Sequence, residues 1–248
     1  MRVKRRLISF ITLSLIIGTA WIIFNRTNPQ PAIYDNFGVN VPQLYPVLGV
    51  DVSHYQEKID WQYVSRMKVG DDSIQFAYMK ATEGIDFTDD RFNGNLEAIK
   101  LEKLWFGAYH FYDPSLGARK QAIHFHQTVS EAELTLRPAL DIEVSGDLRK
   151  AELVDSILSF LETFEELSGQ RPIIYTYENF FLENLQSSEL SEEYFWIANY
   201  NGNCESMTRE NVLVWQFSET GTVDGIETPV DLNIAKKSFL EICQIKKE

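Results

Sequence analysis

From Val47 onward, short apolar runs alternate with longer amphipathic ones, and this alternation allows few architectures. The runs are Val47–Val52, Ile74–Lys80, Trp105–Phe111, Pro138–Val144, Pro172–Tyr177, Phe195–Tyr200, Val212–Phe217 and Pro229–Leu232. Most are rich in β-branched and aromatic residues and end at turn formers, as strands do. Helical spacing fills the gaps at Asp60–Lys68, Asp90–Leu104, Ala118–Val129 and Lys150–Leu167, where Leu153, Ile157, Leu158, Leu161 and Phe164 share a face. After the fifth strand the connections shorten and lose their helical character. Repeated βα units imply a parallel sheet. Eight strands in so short a chain predict an α/β fold, an irregular and incomplete TIM-like βα-barrel forming a single domain. A doubly wound open sheet is the alternative.

In such a barrel the C-terminal strand ends gather into one mouth. Those ends carry Asp51, Lys80, His110, Asp141 with Glu143, Tyr175 with Tyr177, Asn199, Gln216 and Asp231. The first and eighth strands are neighbours in a closed barrel, so Asp51 and Asp231 should meet. Asp141 and Glu143 are two apart, so on a strand both face the mouth, about 6–7 Å apart at the backbone. Glycoside hydrolysis needs one carboxylic acid to protonate the leaving oxygen and one carboxylate opposite the developing positive charge. Crowded carboxylates also raise one another's proton affinity, which suits an acid working near neutral pH. The bland alternative is a strand whose last residues are merely solvated.

The other residues leave more open. His110 reads either as a substrate contact or as a satisfied core histidine. Trp196, Trp215, Tyr112 and Tyr175 read as sugar-stacking rings or as core, and Lys80 as the partner of a nearby carboxylate. His124 and His126 are two apart on a helix and face different ways, which argues against a metal pair. No phosphate-binding loop, dinucleotide glycine motif or nucleophile elbow is present. Cys204 and Cys243 are either a disulfide or two separate thiols.

The N-terminus is of a different kind. Residues 1–26 hold five basic and no acidic residues, leaving 18 basic against 36 acidic for the remainder. So acidic a domain would repel phosphate backbones, which excludes nucleic acid as an expected partner. After a basic start at 1–6, Leu7–Phe24 runs uncharged, enough for a helix of about 27 Å, close to the ~30 Å hydrocarbon core. The expectation is a transmembrane signal-anchor at 7–24 with the domain outside the cell. A cleaved signal peptide, giving a secreted form, is the competitor. Residues 25–46 hold four of the chain's eight prolines and read as an extracellular spacer, with the catalytic domain at 47–248.

Taken together, several segments resemble the family 25 glycoside hydrolases, the N-acetylmuramidase type of lysozyme. They are Gly49-Val-Asp-Val-Ser-His-Tyr-Gln56, Lys80-Ala-Thr-Glu-Gly84, Gly107-Ala-Tyr-His-Phe111, Leu140-Asp-Ile-Glu143, Ile173-Ile-Tyr-Thr176, Trp196-Ile-Ala-Asn-Tyr200, Trp215-Gln-Phe-Ser218 and Val230-Asp-Leu-Asn233. The resemblance implies an irregular βα-barrel that cleaves the β-1,4 bond between N-acetylmuramic acid and N-acetylglucosamine of peptidoglycan glycan strands. It assigns the acid to Glu143 and completes an acidic cluster with Asp51, Asp141 and Asp231. It also carries the proposal that the substrate's own N-acetyl group is the nucleophile, and implies no metal and no cofactor. A chitinase-like barrel of family 18 would need Asp at 136 and 139, where this chain has Leu136 and Ala139. A wall-binding barrel without catalysis is the non-enzymatic rival.

Overall fold

The computed structural model describes residues 32–34, 37–42, 45–69, 72–187 and 189–245. A small antiparallel hairpin of β1 (Ala32–Tyr34) and β2 (Val39–Val41) precedes the main sheet. Within the stretch read as spacer, Phe37 is fully buried, and its carbonyl accepts from the Thr222 amide at 2.9 Å. The segment expected to be a transmembrane anchor lies outside the described residues.

The main sheet contains β3 (Val47–Val52), a short β4 (Lys68–Val69), β5 (Asp72–Glu83) and β6 (Phe87–Thr88). It continues through β7 (Trp105–Phe111), β8 (Ala139–Asp141), β9 (Ile173–Tyr177), β10 (Phe195–Ala198), β11 (Val212–Gly221) and β12 (Val230–Ala235). Pairing runs β3-β12-β11-β10-β9-β8-β7-β5, and a β3–β5 ladder closes the ring. The fold is a single α/β barrel of eight strands, not an open doubly wound sheet.

One expectation is corrected. The eighth strand, β12, runs antiparallel to both β11 and β3. A parallel return needs a crossover of about a dozen residues or more, whereas residues 222–229 leave space only for a turn. Asp231 therefore stands at the beginning of its strand and not at its end. Reversal brings that beginning to the same mouth, and Asp231 pairs in register with Asp51.

Strand parity divides the core in two. Phe76 and Tyr78 on β5, Tyr175 on β9 and Trp196 on β10 fill the barrel, while Ala77 and Met79 face the helical layer. Two glycines admit the interior rings. An added Cβ at Gly49 would lie 2.4 Å from the Phe76 ring, and one at Gly107 would lie 2.3 Å from the Tyr78 ring. The helices are Trp61–Arg66, Phe92–Ile99, Ala118–Val129 and Lys150–Ser168, with a last one at Ser238–Cys243. The longest begins where Glu152 accepts from the Arg149 amide at 2.9 Å, and it stops at Gly169, whose φ of 70° only glycine adopts easily. Of the amphipathic stripe read from the sequence, Leu153, Ile157, Leu161 and Phe164 are buried and Leu158 is half-buried, and Val154 and Phe160 join the buried face. Cys204 and Cys243 are unpaired, both buried, and their thiols are pushed up to about 12 mainly by burial.

Candidate active site

A pocket of about 210 Å3 opens at the barrel mouth. Among the described residues, Asp51, Asp141, Glu143, Glu219 and Asp231 bring carboxylates to its lining, and Lys80 brings a lysine. Each arrives by strand parity: Asp51 on β3 faces inward with Gly49, Lys80 with Tyr78, and Asp141 with Ala139. Strand β8 ends at Asp141, and Glu143 follows on the chain leaving the strand, partly open to solvent.

Asp51 is the most elaborately held. Gln216 Nε2 donates to both of its oxygens at 2.9 and 3.1 Å, and Asn233 Nδ2 donates to Oδ1 at 2.6 Å. Behind Gln216, the Tyr175 and Tyr200 hydroxyls donate to its Oε1 at 2.8 and 2.6 Å. Behind Asn233, Trp196 Nε1 donates to its Oδ1 at 2.8 Å. Burial raises Asp51 to about 6 against these donors, while Asp231 is pushed up to about 9 by burial and then by the charge of Asp51. Asp231 is raised further than Asp51, whose charge is stabilised by its amide donors.

Asp141 is buried, and its Oδ1 is without a hydrogen-bond partner. Burial first, then the neighbouring charge of Glu143, raise it well above the usual carboxylate range. Glu143 is also raised by burial, opposed by a hydrogen bond from Tyr177 and by the charge of Lys80. Lys80 is only 8% exposed, with Nζ 2.6 Å from Glu83 Oε2 and 4.8 Å from the Phe111 ring centroid. The nearby carboxylate expected to pair with Lys80 is thus Glu83, three residues on along its own strand. Among the described residues no group of three or more His, Cys, Asp or Glu side chains is arranged to hold a metal ion.

Of the residues read as substrate-binding, Tyr175, Tyr177, Trp196 and Gln216 line the pocket. Three are corrected. His110 is fully buried on the outer side of β7, its Nδ1 2.8 Å from Thr82 Oγ1, its Nε2 3.2 Å from Gln121 Oε1, and its ring stacked on Phe160. Burial lowers it to about 3, so it is a neutral core histidine. Tyr112 is buried in the same helical layer, its hydroxyl 2.6 Å from Ser156 Oγ. The Asn199 side chain, beyond the end of β10, donates to Glu178 and lies away from the pocket. Trp215 spends its indole N–H on the Asn199 carbonyl at 2.7 Å and belongs to the core.

Tyr109, Phe111, Tyr55, Tyr200 and Glu219 line the pocket although the sequence did not single them out. For Tyr109 and Phe111 the strand register decides the side. With Lys80 facing inward, its register partner Tyr109 does too, and His110 between them must face out.

The family described as "Glycosyl hydrolases family 25" matches residues 50–226. The uncharacterized protein YegX of Escherichia coli (strain K12) is 34% identical over 238 residues, covering 96% of this chain and 86% of that protein. The autolytic lysozyme of Clostridium acetobutylicum is 29% identical over 198 residues, covering 77% of this chain and 56% of that protein. Among solved structures, the bacterial lysozyme of Streptomyces coelicolor superimposes with a TM-score of 0.68 at 26% identity, over 81% of this chain and 98% of that one. The chain belongs to glycosyl hydrolases family 25 and is a glycoside hydrolase.

Proposed function

We propose that the chain hydrolyses peptidoglycan, cutting the β-1,4 bond between N-acetylmuramic acid and N-acetylglucosamine. Relatives named as lysozymes support the substrate class. The observation that carries the mechanism is the buried Asp141 oxygen without a partner beside the partly open Glu143. Glu143 is the general acid: it gives its proton to the glycosidic oxygen as the carbon–oxygen bond breaks, and water then adds its hydroxyl to the anomeric carbon and returns a proton to Glu143. Asp141 accepts from the acetamido N–H of the sugar and stabilises the positive charge that develops next to it. With no substrate bound, burial favours a proton on Asp141. A donor from the sugar relieves that penalty, leaving Asp141 ionised and the acid proton on Glu143. Asp51 and Asp231 are supporting members of the acidic cluster.

Purified peptidoglycan digested by the enzyme should yield fragments with N-acetylmuramic acid at the new reducing end, read by mass spectrometry. Glu143→Gln, which keeps shape but has no proton to give, should slow release by about 10²–10⁴-fold while still binding the wall. Reducing-end N-acetylglucosamine, or near wild-type turnover by Glu143→Gln, would sink the assignment.

The uncharged run at 7–24 supports a second element of the reading. We propose that it anchors the enzyme as a single membrane span, with residues 47–248 outside the cell facing the wall.

A further inference from the structure

Beside the pocket, three rings form a shelf leading away from it. Tyr55 lines the pocket and is 73% exposed. Its ring lies 4.3 Å from that of His54, which lies 6.1 Å from the ring of Phe87, itself 44% exposed. Exposed rings gain nothing from folding by themselves, yet these are pinned from beneath. The buried carboxylate of Asp89 accepts from the His54 amide at 3.0 Å and from His54 Nδ1 at 2.8 Å, and its other oxygen accepts from the Arg91 amide at 2.9 Å. His124 Nε2 lies 3.0 Å from the Phe87 carbonyl oxygen, to which it donates. Lys80 Nζ, itself in the pocket lining, sits 5.7 Å from the Phe87 ring centroid.

The chemistry of this shelf is specific. A carboxylate only accepts, so Nδ1 of His54 donates to Asp89 and Nε2 is the polar ring atom left for a ligand. Two aromatic faces with a polar ring nitrogen between them match a pyranose, which offers an apolar C–H face and hydroxyls at its edge. The aromatic rings are continuous with the pocket through Tyr55 and Lys80, so one strand could occupy both.

We propose that Tyr55, His54 and Phe87 form a distal glycan subsite, which holds a sugar of the strand outside the catalytic pocket and makes the enzyme favour long strands. The proposal rests on the muramidase reading above. Its test uses peptide-free glycan strands of alternating N-acetylglucosamine and N-acetylmuramic acid, a tetrasaccharide and an octasaccharide, with the full-length enzyme. Wild type should show a higher kcat/KM on the octasaccharide. Phe87→Ala should raise KM on that substrate by about 3- to 10-fold, the worth of one aromatic contact, and bring the two substrates towards parity. Phe87→Trp should restore the preference. His54→Ala should act in the same direction and guards against misfolding of the first variant, checked by its thermal transition. If both folded alanine variants keep the wild-type length preference, or wild type has none, the subsite fails while the muramidase reading stands. If wild type cleaves neither strand, the muramidase reading itself fails and takes the subsite with it.

Discussion

Lys80 shows how one side chain tunes several others. It is held between Glu83 and the faces of Phe111 and Phe87, and its positive charge opposes protonation of both Asp141 and Glu143. Replacing it by the similarly shaped but neutral methionine leaves those carboxylates with burial and mutual repulsion alone, so both bind protons more tightly. The acidic limb of the pH–rate profile, where Asp141 must ionise, and the alkaline limb, where Glu143 must keep its proton, then move together to higher pH. A Lys80→Met profile superimposable on wild type would show that Lys80 exerts no field on the acid pair. The four carboxylates at 51, 141, 143 and 231 were legible in the sequence because a charge at the end of an apolar run stands out. His110 stood out for the same reason and misled, since position at a strand end says nothing about which side of the sheet a residue faces.

Among the elements, β5 and β7 depend on glycine opposite an aromatic ring. Gly107 pairs in register with Tyr78, whose ring fills the space a side chain at 107 would need. Gly107→Ala forces that buried ring or the strand to move, and overpacking of this kind typically costs about 1–3 kcal/mol. Urea unfolding monitored by circular dichroism should show the loss, whereas an unchanged midpoint would mean that Tyr78 relocates freely. The strand positions were read well from apolar runs: β3 and β7 coincide with the runs that predicted them. The direction of β12 was not, because apolar patterning is the same for either direction, and only the short connection from β11 settles it.

For the molecule as a whole, the acidic mouth sets stability against function. Asp231 sits at about 9 in the folded chain against about 3.9 unfolded, so the fold binds the extra proton. Its favourable contribution is complete below about pH 3.9 and is lost as pH rises through 9. Asp231→Asn abolishes that loss, so its Tm should exceed the wild-type value by a margin that grows from pH 5 to pH 9, at about 2–4 °C for each kcal/mol relieved. A margin independent of pH would place the stabilisation elsewhere. The same variant should be a poorer enzyme, as expected where charges are crowded for chemistry. At the N-terminus, cells carrying a C-terminal tag should hold full-length protein in the membrane fraction, open to external protease. A shortened soluble form in the medium would identify 7–24 as a cleaved signal instead.

By itself the sequence determined the alternation of strands and helices and the carboxylates at the strand ends, because apolar periodicity and the position of a charge along a run are local properties, whereas the choice of a closed barrel over an open sheet waited on the β3–β5 ladder. Only the tertiary structure decided which side of each strand a residue serves, and so placed Tyr109 and Phe111 in the pocket and His110 in the core. It alone joined Asp51 to Asp231 across a reversed strand, and brought Tyr55, His54 and Phe87 together over Asp89. Burial and contact between distant segments set proton affinities and surface recognition, and neither quantity is carried by the order of residues along the chain until the barrel closes.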